Sequence, residues 1–121
     1  MKLISKLIKS FGYAWTGILI AAREQLNIKI HLLAVVIVVI AGLFFQVTTY
    51  EWCLIVICFG MVLTAELFNS AIENLVDLVS PGHHPLAGKV KDIAAGAVLI
   101  SATATAIVSL FIFLKYIFAR L

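Results

Sequence analysis

Three long apolar runs constrain this chain more than any other feature, at residues 30–45, 52–65 and 93–118. The first is broken only by His31. The second stays apolar past Glu66 through Ala71 and Ile72, and the third is interrupted by Ser101, Thr103, Thr105, Ser109 and Lys115. A helix needs about 20 apolar residues to cross the hydrocarbon of a bilayer. Inside that layer every backbone N–H and C=O must be satisfied within the protein, which leaves helices or closed barrels. Runs this long without two-residue alternation are helices. The small hydroxyls cost little, because they bond within their helix or to a neighbour. The spacing predicts transmembrane helices over about residues 30–46, 52–76 and 91–118.

The remaining length is too short for a large soluble catalytic head, so residues 1–121 are expected to form one integral-membrane domain. Hydrophobic residues make up 64% and charged residues 12% of the chain, against roughly 45–50% and 25% in soluble domains. The same balance excludes disorder. Nine Lys and Arg against six Asp and Glu leave a net charge of +3. That excess is too small and scattered for nucleic acid, and suits an anionic membrane surface. Cys53 and Cys58 fit neither a CxxC site nor a disulfide, and are expected to be buried thiols.

The first stretch differs. Leu3, Ile4, Leu7, Ile8, Phe11, Trp15, Ile18, Leu19 and Ala22 recur at helical steps, while Lys2, Lys6, Lys9 and Tyr13 fall on the other side. This predicts an amphipathic surface helix over residues 1–28, with Tyr13 and Trp15 at headgroup depth. A signal peptide would carry its lysines ahead of the apolar stretch, whereas here they are interleaved. Lys2, Lys6, Lys9, Arg23 and Lys29 precede the first span, residues 46–51 carry no Lys or Arg, and Lys89 and Lys91 follow the second span. By the positive-inside rule the N-terminus and the second loop face the cytoplasm. Lys115 and Arg120 at the far end are expected to snorkel.

Glu66, Asn69, Glu73 and Asp77 stand at i, i+3, i+7 and i+11, on one side of the second span. Glu66 lies about 20 Å along the helix from Trp52, still within the bilayer, and Glu73 about 30 Å, at its boundary. A carboxylate at the depth of Glu66 is costly unless paired, protonated or solvated. One such acid alone would suit a buried clamp between helices. Two Glu and an Asn running toward a basic loop suit a hard cation such as Mg²⁺ at the water boundary, with a deeper base acting on a hydroxyl. Lys91-Asp92 opens the third span, where a Lys gains nothing from the helix dipole and is better used to meet an anion. Ala97, Ser101 and Thr105 beyond it permit close helix approach. The stretch from Gly82 to Lys89 is not a phosphate-binding P-loop: it has five intervening residues, no Ser or Thr after the Lys, and no preceding strand. His83-His84 alone make no metal site.

On these residues the chain resembles the prokaryotic diacylglycerol kinase family, which also includes undecaprenol kinases. The resemblance is carried by Glu66-Leu67-x-Asn69-Ser70-Ala71-Ile72-Glu73-x-x-Val76-Asp77 and by Lys91-Asp92-x-Ala94-Ala95-x-Ala97-Val98-Leu99. Gly12-Tyr13-x-Trp15-x-Gly17 on the surface helix adds to it. It covers essentially the whole chain. It implies an all-α membrane protein, a homotrimeric helical bundle that transfers the γ-phosphate of MgATP to a membrane lipid alcohol at the cytoplasmic face of a bacterial membrane. The expected reaction converts diacylglycerol to phosphatidic acid, with undecaprenol phosphorylation as the alternative. Glu51-Trp52 and Asn27-Ile28-Lys29-Ile30-His31 look closer to the undecaprenol branch.

By the same resemblance Glu66 is the base. Glu73 with Asn69 holds Mg²⁺, while Lys6, Tyr13, Gly82, His83, His84, Lys91 and Asp92 meet the nucleotide. Trp15, Glu66 and Ala95 meet the lipid. One position departs from the family pattern: Gln25 stands where a metal-binding Glu is usual, and Glu24 precedes it, about 100° around a helix. Either Glu24 ligates after a rotation of that helix, or Gln25 offers a neutral oxygen and metal affinity falls. A non-enzymatic membrane subunit or small transporter is the rival class, but its acids would spread through the membrane instead of clustering beside a basic loop.

Overall fold

Four helices account for almost every residue of the computed structural model, which describes residues 1–121: α1 (Lys2–Glu24), α2 (Leu26–Phe45), α3 (Thr49–Val79) and α4 (Pro85–Phe118). The last three are each long and apolar enough to cross a membrane, and α1 is the amphipathic helix outside them. Each junction is set by local chemistry. Gln25 alone separates α1 from α2, with φ −104° and ψ 117°, and its N–H still donates to the Ala21 carbonyl at 2.9 Å. The surface helix expected through residue 28 therefore stops at Glu24, and the first span starts at Leu26. Glu24 and Gln25 are accordingly not successive positions of one helix, so a helix rotation cannot exchange them.

The α2–α3 turn is a Schellman close. Gln46 takes a left-handed conformation (φ 54°), Val47 N–H donates to the Gly42 carbonyl and Gln46 N–H to that of Leu43. Thr48 then caps α3 in a capping box: its hydroxyl accepts from Glu51 N–H, and the Glu51 carboxylate accepts from Thr48 N–H. At the other junction Pro85 opens α4 and His84 Nδ1 accepts from Leu86 N–H at 3.1 Å.

Helix length decides where water begins. α2 has 20 residues, α3 31 and α4 34, or about 30, 46 and 51 Å at 1.5 Å per residue. Because α2 and α3 share a tight turn at one end, the excess of α3 over a bilayer-length α2 emerges at the α3–α4 loop end. α3 is the central element, packed along α4 and touched by α2 and α1. Toward the α2–α3 turn the core is Val47, Ile55, Phe59 and Ile112. Thr105 Oγ1 donates to the Cys58 carbonyl of α3, so that hydroxyl does bond to a neighbouring helix.

The same end carries a polar clamp that sequence reasoning missed. Buried Glu51 accepts at Oε1 from Tyr116 OH (2.7 Å), Thr48 OH (2.9 Å) and Lys115 Nζ (3.1 Å), which ties the last turns of α4 to the start of α3. Lys115 is thus ion-paired as well as solvent-reaching. Arg120 lies over the rings of Phe44 and Phe45 at 4.6 and 5.2 Å. Cys58 is buried as expected, but Cys53 faces outward, a thiol turned to the surroundings of the bundle.

Gly42 of α2 admits the indole of Trp52, and a Cβ there would stand 2.6 Å from a ring carbon. Gly42→Ala is expected to destabilise the fold by about 1–3 kcal/mol, the range for overpacking a close contact, seen as an earlier thermal midpoint in detergent. An unchanged midpoint would show that Trp52 does not pack against α2.

Candidate active site

The polar face of α3 is at the end where that helix outlasts the hydrocarbon. Glu66 sits about 26 Å from the first residue of α3, Glu73 about 36 Å and Asp77 about 42 Å. Glu66 is 1% exposed, one of the two most deeply buried side chains, with Val62 a turn before it. Its Oε1 lies 3.2 Å from His31 Nε2 of α2 but without the alignment of a hydrogen bond. One turn on, Asn69 is buried; its Nδ2 donates to Glu73 Oε1 at 3.3 Å, and its Oδ1 has no partner. Ser70 Oγ is likewise buried and unpartnered. Unmet buried polar atoms cost roughly 1–3 kcal/mol each. A cluster of them at one level of one helix marks a place built for something polar to bind.

Asn69 and Ser70 border open space, whereas Glu66 lines none of the cavities described next. A cavity of about 520 Å³ between α3 and α4 runs past Gly60, Thr64, Ala97 and Ser101 to Asn69, Ile72 and Ala94. A second, about 460 Å³, lies between α1 and α3, where Glu24 and Gln25 come together with Ser70 and Asn74. A third, about 310 Å³ and mostly polar, sits at the α3–α4 loop and is lined by Asp77, Ser80, Gly82, His83, His84 and Lys91. Lys91 Nζ is ion-paired with Asp77 there. Both side chains are substantially exposed, so that pair is worth only about 0–1 kcal/mol, and Lys91 can exchange Asp77 for a stronger anion.

The structure thus gathers Gly82, His83, His84 and Lys91 in one cavity, and Asn69 with Glu73 on one helix face. It leaves others apart. Asp92 and Ala95 are exposed and line none of these cavities, although Ala94 and Ala97 on either side of Ala95 line the first. Lys6, Tyr13 and Trp15 are exposed on α1. A single chain gathers no group of three His, Cys, Asp or Glu side chains able to hold a metal. What it does offer is oxygen in two places: the Glu73 carboxylate and the free Asn69 carbonyl on one face of α3, and Glu24 and Gln25 in the α1–α3 cavity beside Ser70 and Asn74. Oxygen donors of this kind suit a hard cation such as Mg²⁺, which keeps water and phosphate in its shell. His31 is the residue near the site to which the sequence reading assigns no role in it, noting it as an interruption of the first span and as part of the Asn27-to-His31 stretch. A titratable side chain in an otherwise apolar span was the available signal.

Residues 12–113 match the family model for prokaryotic diacylglycerol kinase. The chain is 40% identical over 111 residues to undecaprenol kinase of Bacillus subtilis, covering 92% of this chain and 90% of that protein. It is 39% identical over 103 residues to a diacylglycerol kinase of Synechocystis, covering 84% of this chain and 59% of the relative. To diacylglycerol kinase of Escherichia coli it is 31% identical over 97 residues, 80% of each chain. The chain belongs to the prokaryotic diacylglycerol kinase family. It is a multi-pass membrane enzyme, a lipid kinase that phosphorylates a membrane lipid alcohol, and membership implies dependence on Mg²⁺ and ATP.

The departure at position 25 is open to direct test. Gln25→Glu is expected to lower the Mg²⁺ concentration for half-maximal transfer several-fold, by restoring a charged oxygen beside Ser70 and Asn74. Glu24→Ala is expected to raise it. If neither variant moves the Mg²⁺ titration, the α1–α2 junction contributes no ligand.

Proposed function

We propose that this chain phosphorylates undecaprenol, using MgATP, at the cytoplasmic face of a bacterial inner membrane. The supporting observation is the 40% identity to an undecaprenol kinase along 90% of that relative's length, joined by the Glu51-Trp52 and Asn27-to-His31 segments. Diacylglycerol, the acceptor first expected from the sequence, becomes the second reading, favoured by the relatives named for that activity. The positive-inside pattern supports the orientation: the α3–α4 loop end carries Lys89 and Lys91, and the basic α1 joins at the same end.

In this reading the acceptor's hydrocarbon stays in the bilayer and only its hydroxyl reaches α3. Glu66, buried at that depth, takes the hydroxyl proton as the alcohol oxygen bonds to the γ-phosphorus and the bond from γ-phosphorus to the bridging oxygen breaks. ADP leaves, and the proton stays on the Glu66 carboxyl until water removes it. Lys91, released from Asp77, offsets negative charge on the nucleotide phosphates, with Gly82, His83 and His84 walling the same cavity. Glu73 and Asn69, with Glu24 or Gln25, would hold Mg²⁺, which supplies further charge neutralisation at the phosphates. Positioning and charge neutralisation provide most of the rate in phosphoryl transfer.

We infer a homotrimer on the same footing. Only 16 of 121 residues are buried within one chain, which leaves long apolar helix faces for further copies of the chain to cover. Lys6, Tyr13, Trp15, Asp92 and Ala95 would enter the site at contacts between copies.

Purified protein in lipid nanodiscs, supplied with γ-labelled ATP, Mg²⁺ and either undecaprenol or diacylglycerol, tests the reading. Label is expected in undecaprenyl phosphate, with a kcat/KM at least about tenfold above that for diacylglycerol, a barrier difference of about 1.4 kcal/mol. Equal or reversed preference would assign the enzyme to diacylglycerol, and label in neither lipid would overturn both acceptors.

A further inference from the structure

The buried base has a neighbour that the mechanism above does not use. His31 lies in the second turn of α2, its side chain 20% exposed and turned toward α3. Its Nε2 is 3.2 Å from Glu66 Oε1. It is the only cationic or imidazole group within ion-pair reach of that carboxylate. Glu66 Oε1 is buried and has no formed hydrogen bond. A histidine against an apolar helix is ordinarily a packed core side chain bonded to a backbone carbonyl. Here no carbonyl takes its proton, and the group beside it is a carboxylate that must keep one orientation to work.

We propose that His31 is a positioning residue for Glu66: its Nε2–H fixes Oε1 and leaves Oε2 free to receive the proton of the lipid hydroxyl. The inference rests on the reading of Glu66 as the base. A carboxylate pinned at one oxygen cannot swing between rotamers, and a base orienter of this kind is a recurring partner in activated sites. The present separation needs only a small ring rotation to bring N–H and Oε1 into line, and tightening in the loaded complex is usual. Because His31 is on α2 and Glu66 on α3, the contact also registers one helix against the other at the depth of the reaction.

Three substitutions separate this role from packing. A Gln side chain places its amide Nε2 the same number of bonds from the backbone as His Nε2, whereas Asn reaches only the Nδ1 position and Phe offers no donor. With variants assembled in nanodiscs, His31→Asn and His31→Phe are expected to lower kcat about 10- to 100-fold, the cost of a misplaced group. KM for MgATP and for lipid should stay within about twofold. His31→Gln is expected to keep kcat within about threefold of wild type. In a Glu66→Gln background, His31→Asn should lower the residual rate no further. Wild-type kcat in His31→Asn, a His31→Gln as impaired as His31→Asn, or a change confined to KM would each overturn the proposal. Should His31→Phe fail to assemble, the Gln and Asn pair still decides, since both are polar and smaller than or comparable to His. A Glu66→Gln enzyme at wild-type rate with His31 intact would instead overturn the base assignment, so the two failures are told apart.

Discussion

Hydrocarbon offers no partner to a backbone amide or a carboxylate, and this chain is organised around that lack. The backbone answer is three long helices closed by caps that leave few groups unmet: the Schellman turn at Gln46, the capping box of Thr48 and Glu51, and Pro85 with His84 at α4. The side-chain answer differs at the two ends. At the α2–α3 turn, Glu51 Oε1 accepts from Thr48, Lys115 and Tyr116 while Oε2 stays unpartnered, and the three bonds make it a structural acid. At the α3–α4 loop end, Glu66, Asn69 and Ser70 retain unmet atoms. Glu51 is tied by three donors that link α3 to α4, whereas Glu66 has one titratable neighbour and no formed hydrogen bond, which leaves its carboxylate free to meet a substrate.

Helix length turns this contrast into a site. α3 overruns α2 by 11 residues, about 16 Å, so its polar face passes from lipid into water within a few turns. A lipid hydroxyl and a soluble nucleotide can meet only at such a boundary. By helix length Glu66 is expected on the lipid side of it and Glu73 and Asp77 on the water side, and Lys91 pairs with Asp77 across the loop. On the proposed reading the chain needs no separate catalytic domain, because the bilayer confines one substrate and the helix overhang receives the other.

The architecture was legible because apolar runs longer than a bilayer have one backbone solution, and the spacing of Glu66, Asn69, Glu73 and Asp77 has one helical face. Junctions were less legible. Residues 25–28 continue the apolar periodicity of α1, and nothing local in Gln25 announces an extended residue between two helices. Pairing across helices was least legible. Lys115 read as a snorkelling charge because its partner Glu51 is 64 positions away, and His31 read as a flaw in a span because Glu66 is 35 positions distant. The loop cavity fell between: Gly82, His83, His84 and Lys91 are near in sequence, and the turn between α3 and α4 brings them together. Lys6 and Tyr13 are exposed on α1 and line none of the cavities along α3, so nothing in a single chain joins them to the polar face.

The central claim is that the buried Glu66 accepts the proton of the lipid hydroxyl. A single-turnover measurement tests it most directly, with Glu66→Gln in excess over γ-labelled ATP in undecaprenol-containing nanodiscs, following label in lipid and nucleotide binding in the same sample. The expected result is nucleotide binding at wild-type affinity with transfer slowed at least about 100-fold, the lower range for loss of a general base. Transfer at the wild-type rate would contradict the claim and return Glu66 to the role of a buried clamp between α2 and α3.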